Sequence, residues 1–303
     1  DKNDNDIIYS DRIVRSPVNK FDILPIENSL EAAINDGESI TALTEYGDRL
    51  LQFKERTLYI INISGQIEFV EGVYKHMGAP NQRAVCKTDI GVAWVNKNGC
   101  FLFDGRQVRN LLEKRGNRVL REATWGAFIS TDSMITFEPS LNQIIVVKSY
   151  KNTANSGDAY IYDIVTGSWV YKNEFLDSGN AKTNIINDWN GDINYAQQSS
   201  ANCVIEKIAK TPDVNSSFEI ITPDIDFGNP ASRKNIYDFH ISYIGGTSQD
   251  ARLYYRTDGG SWTSELSNEL ITNGTFDTNT SGWDADSTAA LSVVSNQLVM
   301  TAI

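Results

Sequence analysis

Between Ile40 and Ile63 two runs of branched and aromatic residues flank a short polar turn. Leu50, Leu51 and Phe53 precede Lys54-Glu55-Arg56-Thr57, and Leu58, Tyr59, Ile60 and Ile61 follow it. With neither Pro nor Gly between Arg49 and Ile63, the pattern predicts a β-hairpin. A lone hairpin leaves apolar surface uncovered that only further strands bury, so the hairpin is read as one unit of a repeated meander. Ahead of it, Ile7-Ile8-Tyr9 reads as a strand, Ser16 to Phe21 as a turn into an extended segment, and Asn28 to Ile34 as one helical turn or an irregular loop. Asp36-Gly37-Glu38-Ser39 has turn composition.

The same alternation continues. Ile67 to Tyr74 is expected as an outer strand of the first sheet, and Gly78-Ala79-Pro80-Asn81 breaks it. Ala84-Val85-Cys86, Val92 to Val95 and Cys100 to Phe103 predict three strands, joined and ended by Asn98-Gly99 and Asp104-Gly105, where Gly tolerates φ > 0 at little cost. A third unit comprises Met134 to Phe137, Ile144 to Tyr150, Ala159 to Ile164 and Ser168 to Tyr171. A fourth comprises Ile185-Ile186, Ile193 to Ala196 and Cys203 to Ile208. The turns Tyr46-Gly47-Asp48, Asp89-Ile90-Gly91, Ser140-Leu141-Asn142 and Asn190-Gly191-Asp192 recur at roughly 40 to 50 residues, the period of four-stranded blades. The expected fold is therefore all-β, with β-propeller-like repeated four-stranded sheets over residues 1–215, about four blades being visible. From Phe218 the strands become longer and more regularly alternating, so 216–266 reads as an additional sheet, better a small separate sandwich than a last blade.

Composition narrows the class. In a chain of 303 residues, 41% apolar content is enough for a substantial core. No apolar run approaches a membrane span, and no basic leader precedes an apolar stretch, so neither membrane insertion nor Sec export is expected. The chain opens on Asp1 and closes on the strand-like Gln297 to Ile303, which reads as a piece of a longer chain. A net charge of −12, spread along the sequence, disfavours an electrostatic nucleic-acid footprint, and no sequence-specific nucleic-acid contact is expected. With two His, and with Cys86, Cys100 and Cys203 lacking C-x-x-C spacing, no metal site and no cofactor is expected.

Candidate chemistry is sparse. Arg106 to Arg121 is the basic stretch, with Arg106, Arg109, Arg115, Arg118 and Arg121 interleaved with Val108, Leu111, Leu112, Val119 and Leu120. Its spacing permits a short helix interrupted at Gly116; it is either a solvated connector or an interaction patch for an acidic partner or phosphate backbone. Asp89, Asp104, Asp163, Asp192 and Asp258 all occupy predicted turns, where Asp bonds the local backbone, so no catalytic residue is assigned. Trp94, Trp169, Trp189 and Tyr254 either line a recognition groove or pack between sheets.

Two resemblances follow from these residues. Ser16 to Asp22, Ile40 to Leu43, Gly47 to Leu51, Phe53 to Arg56 and Leu58 to Ile61 resemble tail and neck proteins of tailed bacteriophages. Gly91 to Trp94, Asn98 to Gly105 and Asp224 to Gly228 are similar to the same group, including podovirus tail hub or stabilisation proteins. Over most of residues 1–262 the resemblance implies a non-enzymatic virion subunit of β-propeller type, forming a homo-oligomeric ring in the neck or tail. Its implied partners are a portal or adaptor and other tail proteins. Separately, Glu269 to Asp277 with Gly282-Trp283 resembles the start of a carbohydrate-binding jelly-roll module, which makes 267–303 an incomplete module. There Trp283 either stacks on a sugar face or anchors a core. The alternative function is accordingly a glycan-binding or glycoside-hydrolysing propeller.

Overall fold

A computed structural model describes residues 10–32, 36–65, 67–114, 116–199 and 202–208, and beyond them 219–222, 225, 228–229, 232–233, 252–257, 259–264, 289–294 and 297–302. The chain divides into two compact units, Asp1–Ser217 and Phe218–Ile303.

The first unit opens with a short pair, β1 (Ile13–Val14) and β2 (Ser29–Leu30). A first four-stranded sheet follows: β3 (Ile40–Tyr46), β4 (Arg49–Lys54), β5 (Thr57–Asn62) and β6 (Phe69–Lys75). The second holds β7 (Val85–Thr88), β8 (Gly91–Asn96), β9 (Gly99–Phe103) and β10 (Val108–Asn110). The small hairpin β11 (Glu113–Lys114) and β12 (Asn117–Arg118) leads to the helix α1 (Glu122–Phe128). The third sheet holds β13 (Met134–Glu138), β14 (Gln143–Val147), β15 (Ala159–Asp163) and β16 (Ser168–Lys172). A three-stranded sheet completes the unit with β17 (Lys182–Asn187), β18 (Ile193–Ser199) and β19 (Asn202–Lys207). Every sheet is an antiparallel meander in chain order, so the protein is all-β and built of propeller-like sheets. In the second unit, β20 (Tyr254–Tyr255) pairs with β21 (Thr263–Ser264), and β22 (Ala289–Val294) with β23 (Gln297–Ala302). Among the described residues no helix is long and apolar enough to cross a membrane.

Burial explains why the strands read as near-continuous apolar runs. In β4, β5, β8, β9 and β14 nearly every residue is buried on both faces, whereas the fourth strands β6 and β16 are largely exposed. First strands lie beside their neighbours: β13 contacts both β7 and β17. One apolar cluster joins the first three sheets and α1, with Phe53, Trp94, Phe103, Trp125 and Val146 in it; a smaller one joins the third and fourth through Met134, Ile145, Leu176 and Tyr195. Each fully buried Leu, Ile or Phe contributes about 1.5–3 kcal/mol relative to exposure, so these clusters dominate the stabilising side.

The four recurring turns occupy the same place in every sheet, between its first and second strands. Each carries a left-handed residue: Gly47 (φ +58), Gly91 (φ +150), Asn142 (φ +53) and Gly191 (φ +76). Gly and Asn are the residues that tolerate this backbone, which is why a turn marker repeats although the strand sequences do not.

The basic stretch departs from expectation. Instead of an interrupted helix, Val108–Asn110 pairs with β9 as the fourth strand of the second sheet, and helix begins only at Glu122. Leu111 and Leu112 are buried because the chain folds back there: the Leu111 amide donates to the Cys100 carbonyl at 2.7 Å and the Leu112 amide to Asn110 Oδ1 at 3.1 Å. At Asn28 the structure has a 3-10 turn, Ile26–Asn28, that runs into β2. The expected strand at Ile7–Tyr9 and most of the additional sheet expected over 216–266 lie outside the described residues.

The chain leaving a sheet docks back on that sheet. After β6 the Gly78 amide donates to the Arg56 carbonyl and the Ala79 amide to that of Lys54, both at 3.1 Å; after β16 the Leu176 amide donates to the Gly157 carbonyl at 3.0 Å. A Cβ on Gly78 would sit 2.2 Å from the Lys54 oxygen and 2.6 Å from the Arg56 carbonyl carbon, both backbone atoms that cannot step aside. Gly78→Ala is therefore expected to destabilise by about 1–3 kcal/mol, as overpacking does. Gly126→Ala, in α1 where an added Cβ would meet no atom within 4 Å beyond its chain neighbours and its own helix backbone, is expected to be neutral or to stabilise by up to about 1 kcal/mol. Denaturant unfolding of the two variants beside the parent checks the contrast.

Candidate functional site

Of the arginines singled out in the sequence, Arg109 faces Asp104 at 3.6 Å, and Arg118 pairs with Glu122 at 3.0 Å while donating to the Asn98 carbonyl at 3.0 Å. Lys114 donates to the Thr166 carbonyl at 2.8 Å, bridging to the third sheet. Arg106 and Arg121 stand in solvent, and Arg115 lies outside the described residues, as does Trp283. The stretch thus ties the second sheet to α1 and to the third sheet, with two guanidinium groups left facing solvent.

The turn carboxylates cap backbone. Asp104 accepts from the amides of Gln107 and Arg106 at 3.0 Å each, Asp163 from Thr166 at 2.8 Å, and Asp188 from Asn190 and Asp192 at 2.8 and 2.9 Å. In all three the amide donors hold the carboxyl below its ordinary value, the opposite of what a general acid needs. Asp192 pairs with Lys207, Asp89 sits in the β7–β8 turn, and Asp258 lies outside the described residues.

The tryptophans divide sharply. The Trp94 indole is fully buried and donates to the Met77 carbonyl at 2.8 Å; Trp169 donates to Leu111 at 3.0 Å. Trp125, which the sequence reading passed over, is fully buried in α1 and donates to Asn96 at 2.9 Å. All three join one sheet to its neighbour or its connector, the packing alternative. Trp189, by contrast, is 94% exposed in the β17–β18 turn, and Tyr254 is half-exposed.

Two depressions gather residues that sequence patterning did not bring together. The first, about 280 Å³, is lined by Asp36, Glu38, Arg56, Tyr59, Lys75 and His76. Lys54, the first residue of the polar turn read in the sequence, is fully buried, and its Nζ donates to both Asp36 carboxylate oxygens at 2.7 Å. The Tyr59 hydroxyl donates to Asp36 at 3.3 Å and the Glu38 amide at 3.1 Å, while the Arg56 amide donates to Glu38 at 3.2 Å. Partial burial alone would raise the Asp36 carboxyl; Lys54, the Glu38 amide and Tyr59 outweigh it and hold the group below 3.8. Lys54 is buried because the incoming Asp36–Glu38 segment and the outgoing Gly78–Ala79 segment bond to this end of the hairpin, while Glu55 and Arg56 stay exposed.

The second depression, about 320 Å³, lies at the fourth sheet beside Tyr150, which follows β14, and its lining includes Ala181, Thr183, Ala196, Gln198 and Cys203. The fourth unit was expected to begin after Lys182, and nothing local marks Lys182 or Gln197. Among the described residues no group of three or more His, Cys, Asp or Glu side chains is placed to hold a metal ion. No family model matches the chain, and no curated protein matches it.

Asp36→Asn leaves the Lys54 ammonium buried without its counter-charge. The expected loss is about 3 kcal/mol, the low end for breaking a buried pair, because Asp36 is partly exposed. Adding Lys54→Met should recover most of that loss. Since the folded Asp36 carboxyl lies below 3.8, its share of stability is complete above that value and is lost as pH falls through the folded value. Acid unfolding curves of the parent and Asp36→Asn should therefore converge in that window; a constant offset down to pH 2 would contradict the linkage.

Proposed function

We propose that this chain is a non-enzymatic structural subunit of a phage virion, forming a homo-oligomeric ring in the neck or tail that connects portal to tail. The phage assignment is supported by the ordered series of segments between Ser16 and Gly228 that resembles tail and neck proteins. The assembly role is carried by one observation: outer strands that end otherwise buried sheets display large apolar side chains to solvent. Phe69 and Val73 on β6 are 54% and 51% exposed, and Ile205 on β19 is 78% exposed, with Val170 and Tyr171 exposed on β16. Each of these strands is also the outermost of its sheet among the described residues. Large apolar side chains left in solvent on several outer strands suit contact with copies of the same chain or with neighbouring virion proteins. The acid excess keeps free subunits soluble before they assemble.

Glycan recognition is the second reading, favoured by the exposed Trp189 indole, which has the amphipathic ring face that stacks on sugars.

Electron microscopy and native mass measurement of the purified chain are expected to show rings or docking on a portal–tail assembly, with no hydrolysis of glycans. Phe69→Lys with Val73→Lys is expected to release subunits while leaving the unfolding midpoint within a few degrees of the parent, since both residues are surface-exposed. A monodisperse monomer that turns over glycans would overturn the assignment.

A further inference from the structure

The chain that precedes the first sheet closes on itself as a loop. β1 pairs with β2, the Arg15 amide donates to the Asn28 carbonyl at 3.1 Å, and Arg12 pairs with Glu31 at 2.6 Å, so the two ends of the loop are held together. Inside it the Lys20 amide donates to the Pro17 carbonyl at 3.1 Å and the Asn28 amide to that of Pro25 at 3.0 Å. Five of the nine residues from Val18 to Ile26 are nevertheless large, apolar and exposed: Val18, Phe21, Ile23, Leu24 and Ile26, with Phe21 88% exposed. Single apolar side chains in solvent are ordinary, but this many on one hydrogen-bonded loop mark a surface that another molecule covers. The fourth sheet, the last of the unit, has a matching face. Its Ile193 and Tyr195 pack in the cluster shared with the third sheet. On the opposite face the strand pairing sets Thr183 beside Ala196, Ala196 beside Ile205, and Ile186 beside Asn194. Ile186 is 60% exposed there and Ile205 78%. The depression of about 320 Å³ takes Thr183, Ala196, Gln198 and Cys203 of its lining from that same face. An enclosed cavity of ~150 Å³ takes a benzene-sized ring, so the depression has room for a phenyl group.

We propose that the loop of one copy, from Val18 to Ile26, docks on this outer face of the fourth sheet of the next copy, with the Phe21 ring in the depression. Buried together, the five side chains remove on the order of 500 Å² of apolar surface from water, and an equal area on the receiving sheet brings the total to the ~1,000 Å² that a specific interface needs. Loop and face are different surfaces of one chain, so the contact is heterologous. Each copy gives a loop and receives one, which generates a ring where the rotation closes. Charge favours a copy of the same chain over a lipid surface. Lys20 and Asp22 flank Phe21 and cancel, so the tip brings no net charge to a subunit carrying −12, whereas that −12 opposes approach to an anionic bilayer. The loop is ordered by its own hydrogen bonds before it docks, which keeps the entropy cost of docking small. This contact rests on the assembly role proposed above and is the means by which successive copies join.

Cys203 provides the readout. It is exposed on the receiving face, whereas burial pushes the Cys86 thiol up to about 12 and the Cys100 thiol upward as well, so a maleimide modifies Cys203 first. A donor chain carrying Val18→Cys and Cys203→Ser is mixed with the full wild-type chain and treated with a short bismaleimide, which can then join the two sites only across a contact between copies. A cross-linked dimer is expected, with mass spectrometry finding the Val18→Cys peptide of the donor joined to Cys203 of the wild-type chain. Adding Phe21→Lys to the donor is expected to cut that yield about tenfold or more, as removal of a central aromatic anchor does. The unfolding midpoint is expected to stay with the parent, because Phe21 is exposed. Absence of the link, or a link undiminished by Phe21→Lys, overturns the contact. If rings still form in that case, the assembly role stands without it; if the wild-type chain gives neither rings nor link, both fall. Flotation of the wild-type chain with phosphatidylcholine vesicles, lost in Phe21→Lys and seen in place of the link, assigns the loop to a bilayer and likewise overturns the contact.

Discussion

The middle strands of each small sheet are buried on both faces, and this constraint governs the rest of the first unit. A four-stranded meander has too few residues to cover itself, so each sheet must use its neighbours as cover. Leu51, Phe53, Leu58 and Ile60 of the first sheet meet Trp94 and Phe101 of the second, with Phe53 and Trp94 rings edge-on at 5.2 Å. The second and third sheets are joined through α1, whose Trp125 and Phe128 lie against Tyr160 at 6.0 and 4.7 Å. The helix is a plug rather than a layer: seven residues long, it buries only these two aromatic side chains. Removing any one sheet would strip cover from the next, which makes the first unit one cooperative body rather than four modules.

Packing both faces creates a second demand, because backbone and side-chain polar groups inside the stack have no water to turn to. The indoles of Trp94, Trp125 and Trp169 answer it in a common way, each burying a large ring while its N–H satisfies a carbonyl in the adjoining segment. Asn96 does the same with an amide: its Oδ1 accepts from Asn98 and Gly99 within its own turn, while its Nδ2 reaches the carbonyls of His76 and Gly78 in the preceding connector. Asn187 joins the third and fourth sheets by donating to the Phe137 carbonyl at 2.6 Å. Apolar contact sets which sheets touch; these directional bonds fix their register.

That division of labour also explains what the sequence made visible. Strands such as Gly99–Phe103 and Gln143–Val147 stand out because burial on both faces requires uninterrupted apolar side chains, and the turn after each first strand stands out because its left-handed residue must be Gly or Asn. The residues that join sheets leave no periodic trace. Asp36 looks like any turn aspartate, yet it holds Lys54; Val108 to Asn110 looks like part of a basic helix, yet the second sheet takes it as a fourth strand because β9 presents an open edge. Trp125 escaped notice because seven helical residues are too few to show a 3.6-residue period. Lys182 and Gln197 meet only through strand pairing, which no local pattern encodes.

Lys54 and Lys182 make a natural comparison, since both are buried to the last atom of the stem yet meet opposite surroundings. Lys54 Nζ sits between two oxygens of Asp36, whose own charge is supported by the Glu38 amide and the Tyr59 hydroxyl, so this pair locks the first sheet to the segment that enters it. Lys182 has a serine hydroxyl, and burial pushes its ammonium below the usual lysine value. A residue whose role were only to fill that space would be better as Met or Leu, which carry no desolvation cost. Lys54 thus joins two segments by charge, whereas Lys182 is held by the packing of its stem and by one hydroxyl.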